Sequence, residues 1–313
     1  MQCGLQDGRA DPGGPAARAH GPGGRGEHFR AALAYGVARF PALADVPKRT
    51  AMALQVEQYV KAAPTFGIHF ERRVLELPYR GGSTSVPVHL LSATPDFTQR
   101  PVVLLSGGLD SWKMDLHAIE TAFVRSANVT VLAFDHPGTG ETQAPLDAYA
   151  DSVIDGLVAT ARALGNGHVA HFGFSFGGNF AAASGLRGIV DAAIDLGGPI
   201  VDSFTRENFS RLMFGMADIA GNAFGFTARP TFDDILSAAQ PFNRESLLAQ
   251  DTNCPMLIVN GADDVHVVRH DTLLFEGRRD TEVHLIPDTG HVAASKLPEA
   301  IALMSAWLRD HLV

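Results

Sequence analysis

Cysteine is nearly missing from this chain of 313 residues: only Cys3 and Cys254 occur. One lies in a Gly- and Pro-rich terminus and the other just before an apolar run, so a disulfide framework is not expected. A reducing interior, the cytoplasm, is the expected compartment. The 13 histidines show no H-E-x-x-H and no other metal-ligand spacing, so no metal site is expected. No stretch approaches the roughly 20 apolar residues needed to cross a bilayer. Positive charge is in the minority, with 25 Lys and Arg against 34 Asp and Glu and a net charge of -9. Nothing stands ready to neutralise phosphates, which argues against nucleic acid as a partner. Gly138 and Gly140 invite a phosphate-loop reading, but no Gly-Lys-Ser/Thr ending and no G-x-G-x-x-G pattern follows.

What is present is a globular composition, with 46% hydrophobic residues and enough length for one large α/β domain and an accessory piece. Residues 1–26 are rich in Gly, Pro, Ala and Arg and lack an apolar h-region. They read as a disordered leader or a start-site extension, not a secretory signal. Residues 27–67 carry a helical rhythm through Phe29, Leu33, Val37 and Phe40, then Met52, Val56, Tyr59 and Val60, with Pro41 and Pro47 as breaks. The period then changes. Val74–Tyr79 and Val86–Leu91 read as a hairpin around Gly81-Gly82-Ser83.

From there apolar strands alternate with helices: a strand at Val102–Leu105, a helix over Met114–Ala127, a strand at Val129–Phe134, a helix over Leu146–Leu164, then strands at His168–Phe172 and Val190–Leu196. Such alternation predicts a mostly parallel sheet with helices on both faces. It pauses over 198–253, a stretch rich in phenylalanine, and resumes with Met256–Val259, Glu282–Ile286 and a helix over Leu297–Leu312. The expected division is therefore an N-terminal helical segment over 27–67, a core over 68–197 and 254–313, and a helical cap over 198–253.

The chemistry concentrates at strand ends. Gly173-Phe174-Ser175-Phe176-Gly177-Gly178 follows an apolar strand and opens a small-residue helix. In strand–turn–helix context this is a nucleophile elbow, with the serine hydroxyl pushed out at the carboxyl edge of the sheet. Asn260-Gly261-Ala262-Asp263-Asp264 follows the next core strand, and Asp288-Thr289-Gly290-His291 the last one. The order Ser, Asp, His suits a hydroxyl activated by an imidazole that a carboxylate orients. Ser175 is the candidate nucleophile and His291 the candidate base. Asp264 is preferred to Asp263 as the acid because it completes a Gly-x-x-Asp spacing from Gly261. A developing oxyanion needs preorganised donors. The backbone N–H of Phe176 is one. The other comes from the loop Ser106–Asp110, with Leu109 and Gly108 both open. Phe174, Phe209 and Phe214 are the candidate substrate contacts. Asp135–Gly140 reads as a structural turn, and His168 and His171 as structural histidines flanking a strand.

Leu105–Ser111, Phe134–Glu141 and Gly173–Gly178 together resemble the FrsA-like esterase branch of the α/β-hydrolase superfamily. That branch also includes fungal polyketide-shortening hydrolases and dihydropseudooxynicotine hydrolase. The resemblance spans about Val74–Val313. It implies the α/β-hydrolase fold, with a helical cap inserted after the sixth core strand and a helical segment before the catalytic domain. It implies Ser175, Asp264 and His291 as the triad and no cofactor. The expected partner is a small, largely apolar metabolite, without nucleic acid or membrane, and the monomer and the homodimer both stay open. Members of the branch divide between ester cleavage and cleavage of a carbon–carbon bond beside a ketone, so both readings stand, with acyl transfer to an acceptor other than water as a variant. For the carbon–carbon reaction Asp202 or Glu207 is the candidate extra acid. A ligand-binding relative without catalysis is the remaining alternative.

Overall fold

The computed structural model describes residues 26–213 and 215–312. Two helices, α1 (Glu27–Arg39) and α2 (Val46–Ala62), precede the sheet. Pro41 follows the first, as expected. Pro47 does not break the second but lies in its opening turn, where its missing N–H costs nothing, and Asp45 caps that turn by accepting from Lys48 N at 2.9 Å. The two helices pack through Ala32, Met52 and Tyr59, joined by Phe66 of the turn that follows, onto Trp112 and Met114 of the core.

The strands are β1 (His69–Tyr79), β2 (Gly82–Ser92), β3 (Val102–Ser106), β4 (Thr130–Phe134), β5 (Val169–Phe174), β6 (Ala192–Leu196), β7 (Met256–Gly261) and β8 (Thr281–Ile286). They form one sheet in the order β1-β2-β4-β3-β5-β6-β7-β8. Pairs β1/β2 and β2/β4 are antiparallel, and every pair from β4/β3 onward is parallel. The hairpin turn is Arg80-Gly81, with φ of 50° and 76°, one residue earlier than the sequence suggested. A two-residue loop with positive φ at both positions matches the twist of the flanking strands.

Helices α3 (His117–Ser126), α4 (Ala150–Leu164) and α5 (Phe176–Leu186) follow β3, β4 and β5. The sequence placed the start of α4 at Leu146. Instead the Asp147 carboxylate accepts from Tyr149 N at 2.9 Å and from Tyr79 Oη at 2.9 Å, which holds the approach as a turn. Helices α6 (Arg206–Arg211), α7 (Met216–Ala223), α8 (Phe232–Ala239) and α9 (Glu245–Leu248) lie between β6 and β7; α10 (Arg269–Leu273) follows β7, and α11 (Leu297–His311) follows β8. Side chains alternate across the buried strands. One set joins α4, α5 and α6–α8 in a core that includes Leu104, Phe134, Phe180 and Ile258; the other joins α3 and α11 around Leu105, Phe172 and Val259. Among the described residues no helix is long and apolar enough to cross a membrane.

Two buried polar contacts tie α6–α9 to the core. The Asp271 carboxylate, wholly buried on α10, accepts four backbone N–H bonds from Ile200, Val201, Asp202 and Ser203 at 2.7–3.1 Å. Arg244 spans back to Asp151 with two bonds at 2.8 and 2.9 Å and donates Nε to Asn179 Oδ1 at 2.9 Å. Fixed charges thus hold both ends of the segment over the carboxyl edge of the sheet.

Candidate active site

Ser175 sits between β5 and α5 with φ 55° and ψ −126°, a backbone state that side-chain-bearing residues rarely adopt. Its neighbours make that state affordable. Ser175 N donates to Leu196 O at 2.8 Å, and Gly178 N donates to Ser175 O at 2.8 Å. Strand and helix nearly touch here: a Cβ on Gly177 would lie 2.6 Å from Ser106 Oγ, so glycine is required. The side chain of Ser175 is pressed from the other side by the loop after β3. A Cβ on Gly108 would stand 2.8 Å from Ser175 Cβ and 2.9 Å from its Oγ.

The hydroxyl lies 2.8 Å from His291 Nε2. His291 Nδ1 lies 2.7 Å from Asp264 Oδ2. With the proton on Nδ1, the ring donates to the carboxylate and accepts from the hydroxyl. Residues 116 and 27 apart in sequence thus form one hydrogen-bonded line. Asp264, not Asp263, meets the imidazole; Asp263 is exposed, and its backbone N–H donates to Thr289 O at 3.0 Å. Burial favours the neutral Asp264 carboxyl. The hydrogen bond and charge of His291, His266 N and the Asn260 amide outweigh that and hold its pKa below the ordinary carboxylate value.

Several contributors escaped the sequence reading. Asn260, the penultimate residue of β7, donates Nδ2 to Asp264 Oδ2 at 2.8 Å and accepts at Oδ1 from Gly261 N and Val292 N at 2.8 and 3.1 Å. One amide therefore braces the acid and the loop of the base together. Val292 and Ala293, directly after His291, have φ of 53° and 52°. For a β-branched residue this is strain, of the kind a catalytic loop stores. His266 stands edge-on to His291 with ring centres 5.3 Å apart, and burial, then the neighbouring His291, lowers its pKa. The polar end of β7 was the one sequence signal for Asn260.

A cleft of about 570 Å³, mouth included, opens over Ser175 and His291. Its walls are mainly apolar, with Leu109, Phe176, Phe204, Phe209, Met216 and Phe224 among them. Phe209 thus lines the cleft as expected. Phe174 does not: it shares strand parity with Phe172 and packs on the α3/α11 face of the sheet. Phe214 lies outside the described residues. Asp202 and Glu207 are both turned elsewhere, Asp202 pairing with His270 and Glu207 with Arg211 at exposed positions. In the loop after β3, Gly108 N already donates to Ser111 O at 2.8 Å. Of the two expected loop donors, Gly108 therefore has its N–H engaged within the loop, and its lack of a side chain leaves room for Ser175. The turn Asp135–Gly140 is braced by a fully buried Lys113, whose Nζ reaches Asp135 Oδ2 at 2.5 Å. The neighbouring His136 ring packs on Phe176 at 5.7 Å.

A mostly parallel sheet with a strained serine at one strand end, a histidine and an acid at two others, and a helical insertion above them defines an α/β-hydrolase. Solved structures with this fold include 2,6-dihydroxy-pseudo-oxynicotine hydrolase, at TM-score 0.77 and 23% identity over 91% of this chain and 80% of that one. AbyA5 is similar at TM-score 0.76 and 20% identity, over 90% and 82% of the two chains. The chain belongs to the FrsA-like esterase family, whose profile matches residues 15–313. Esterase FrsA of Vibrio cholerae serotype O1 is 30% identical over 202 residues, 62% of this chain and 47% of that protein. The chain thus spans about half the length of the curated relatives it matches.

Proposed function

We propose that this protein is a serine hydrolase that cleaves an ester of a medium-sized, largely apolar acid through an acyl-enzyme on Ser175. The observation that carries the reading is the continuous line Ser175 Oγ–His291–Asp264 opening into an apolar cleft. The name of the esterase family supports the same class.

The chemistry follows from the line. His291 Nε2 takes the Ser175 proton as Oγ attacks the acyl carbon. The carbonyl oxygen becomes an oxyanion, met by the backbone N–H groups of Phe176 and Leu109. His291 returns the proton to the leaving oxygen, and the alcohol departs. A water then gives its proton to His291 and attacks the acyl-enzyme, which releases the acid and restores the hydroxyl. Asp264 stays ionised throughout and steadies the imidazolium. The phenylalanines of the cleft desolvate the acyl chain and favour apolar groups.

The carbon–carbon reading uses the same triad but must stabilise a carbanion or enolate as the leaving group, and the positions of Asp202 and Glu207 do not support an acid there. Incubation with p-nitrophenyl esters of graded chain length and with a 1,3-diketone, with products weighed by mass spectrometry, tests the proposal. Ester turnover with negligible diketone turnover is expected. Diketone cleavage as the faster reaction would replace the ester assignment, and acyl transfer to an added alcohol would show as a product of higher mass.

A further inference from the structure

Arg39 closes α1, and its side chain is 1% exposed. A buried guanidinium needs hydrogen-bond partners, and each of its three nitrogens has one, on α2 or on the core. Nε donates to Gln55 Oε1 of α2 at 3.1 Å, Nη2 pairs with Asp115, and Nη1 donates to Asp110 O at 2.7 Å. The guanidinium lies over the Trp112 ring with its carbon 3.6 Å from the ring centre. Beneath it, Trp112 Nε1 donates to Leu109 O at 3.2 Å, and Trp112 N donates to Asp115 Oδ2 at 2.7 Å.

These bonds converge on the loop that presses against the nucleophile. The carbonyls of Leu109, Asp110 and Ser111 are held by Trp112, Arg39 and Gly108 N respectively. Three successive carbonyls fixed in this way leave the loop little freedom to rotate its peptide planes. An oxyanion donor misplaced by about 1 Å costs on the order of a hundredfold in rate. We propose that Arg39 is a positioning residue that holds the Gly107–Trp112 loop in its catalytic geometry, so that α1 and α2 act in the chemistry without touching substrate. The proposal rests on the hydrolase reading for its kinetic consequence and on the contacts above for its structural one.

The test compares Arg39→Ala, Arg39→Lys, Trp112→Phe and Tyr59→Phe in the full chain. Tyr59 Oη bonds Glu120 at 3.1 Å in the same helix–core interface but does not reach the loop. Kinetics use p-nitrophenyl butyrate, and hydrogen exchange is followed by mass spectrometry on the peptide covering 107–112. Arg39→Ala should lower kcat by about tenfold to a hundredfold with KM within about threefold, and should speed exchange in that peptide. Arg39→Lys should fall between, since an ammonium cannot span the same partners. Tyr59→Phe should lower the unfolding temperature and leave kcat unchanged. If Arg39→Ala does not fold, Arg39→Lys carries the test, because it keeps a cation at the site while losing the fork that reaches Gln55, Asp115 and Asp110 O together, and Trp112→Phe reports separately on the bond to Leu109 O. Unchanged kcat and unchanged loop exchange in the Arg39 variants, or an equal kcat loss in Tyr59→Phe, would overturn the proposal. If the wild-type protein turns over no ester, the hydrolase reading fails separately, and the exchange measurement alone decides whether Arg39 orders the loop.

Discussion

Asn260 Nδ2 and His291 Nδ1 meet the same oxygen of Asp264, at 2.8 and 2.7 Å. The other face of that amide holds Val292 N, so the acid and the base share one brace. Asn260→Ala should therefore lower kcat by about tenfold to a hundredfold without comparable change in KM, because it loosens orientation and not binding. Asn260→Asp should be worse, since it sets a like charge beside Asp264. Steady-state kinetics on a p-nitrophenyl ester check both; a loss confined to KM would contradict the bracing role.

The two neighbouring aspartates should separate cleanly. Asp264→Asn keeps the shape but can no longer fix the tautomer of His291, and kcat should drop by roughly 10³–10⁴. Asp263→Asn, at an exposed position, should stay within about twofold. Equal losses in the two variants would mean that the acid has been assigned wrongly.

Acyl-chain preference should follow the walls of the cleft. Phe209→Ala removes a buried ring that lines it, and the ratio of kcat/KM for longer over shorter acyl esters should rise by about tenfold or more. Phe174→Leu, on the opposite face of the sheet, should leave that ratio unchanged. A chain-length profile that moves with Phe174 and not with Phe209 would relocate the acyl site.

The Asp271 carboxylate should matter to the anchoring of the α6–α9 segment. Asp271→Ala leaves four N–H groups without their acceptor, two of them buried, a loss of about 3 kcal/mol in stability. Urea unfolding checks the magnitude, and limited proteolysis should cut first between residues 198 and 253. Wild-type stability with wild-type proteolysis would contradict the anchoring role.

Stability should peak near neutrality for a reason that the buried groups supply. Burial pushes the rings of His136 and His117 down to about 4 and that of His171 to about 3. The unfolded chain binds these protons from about pH 6.5 downward and the folded chain does not, so the stability they contribute is present above that pH and lost on acidification. Burial raises Glu120 to about 8 and Asp195 to about 7. The unfolded carboxyls ionise first, so the stability these two contribute is complete at low pH and lost as pH rises through the folded values. The thermal midpoint should be highest between about pH 6 and 7, and Glu120→Gln should flatten its alkaline side. A midpoint still rising at pH 9 in the wild-type protein would refute this balance.

Much of the site was legible because its signals are local. Gly173 and Gly177 flank Ser175 at the spacing that a tight strand–helix crossing demands, and the buried strands announce a parallel sheet through unbroken apolar runs. Asp264 was legible through its distance from Gly261. The misreadings have equally physical causes. Phe174 stands next to the nucleophile in sequence, but strand parity sends its side chain to the other face. The hairpin turn fell one residue early because Arg80 accepts a positive φ that glycine was expected to supply. Arg39 and Asp271 left no local trace. The loop carbonyl that Arg39 holds lies 71 residues away and the partners of Asp271 lie 68–71 residues away, and these contacts exist only after the chain has folded.

The central claim is that Ser175, activated by His291, is the nucleophile. Intact-mass and peptide mass spectrometry after treatment with a fluorophosphonate tests it directly. The account predicts one adduct, on Ser175, absent in Ser175→Ala and formed at least a hundredfold more slowly in His291→Ala, on the order expected for loss of a general base. An adduct on another residue, or undiminished labelling of Ser175→Ala, would contradict it.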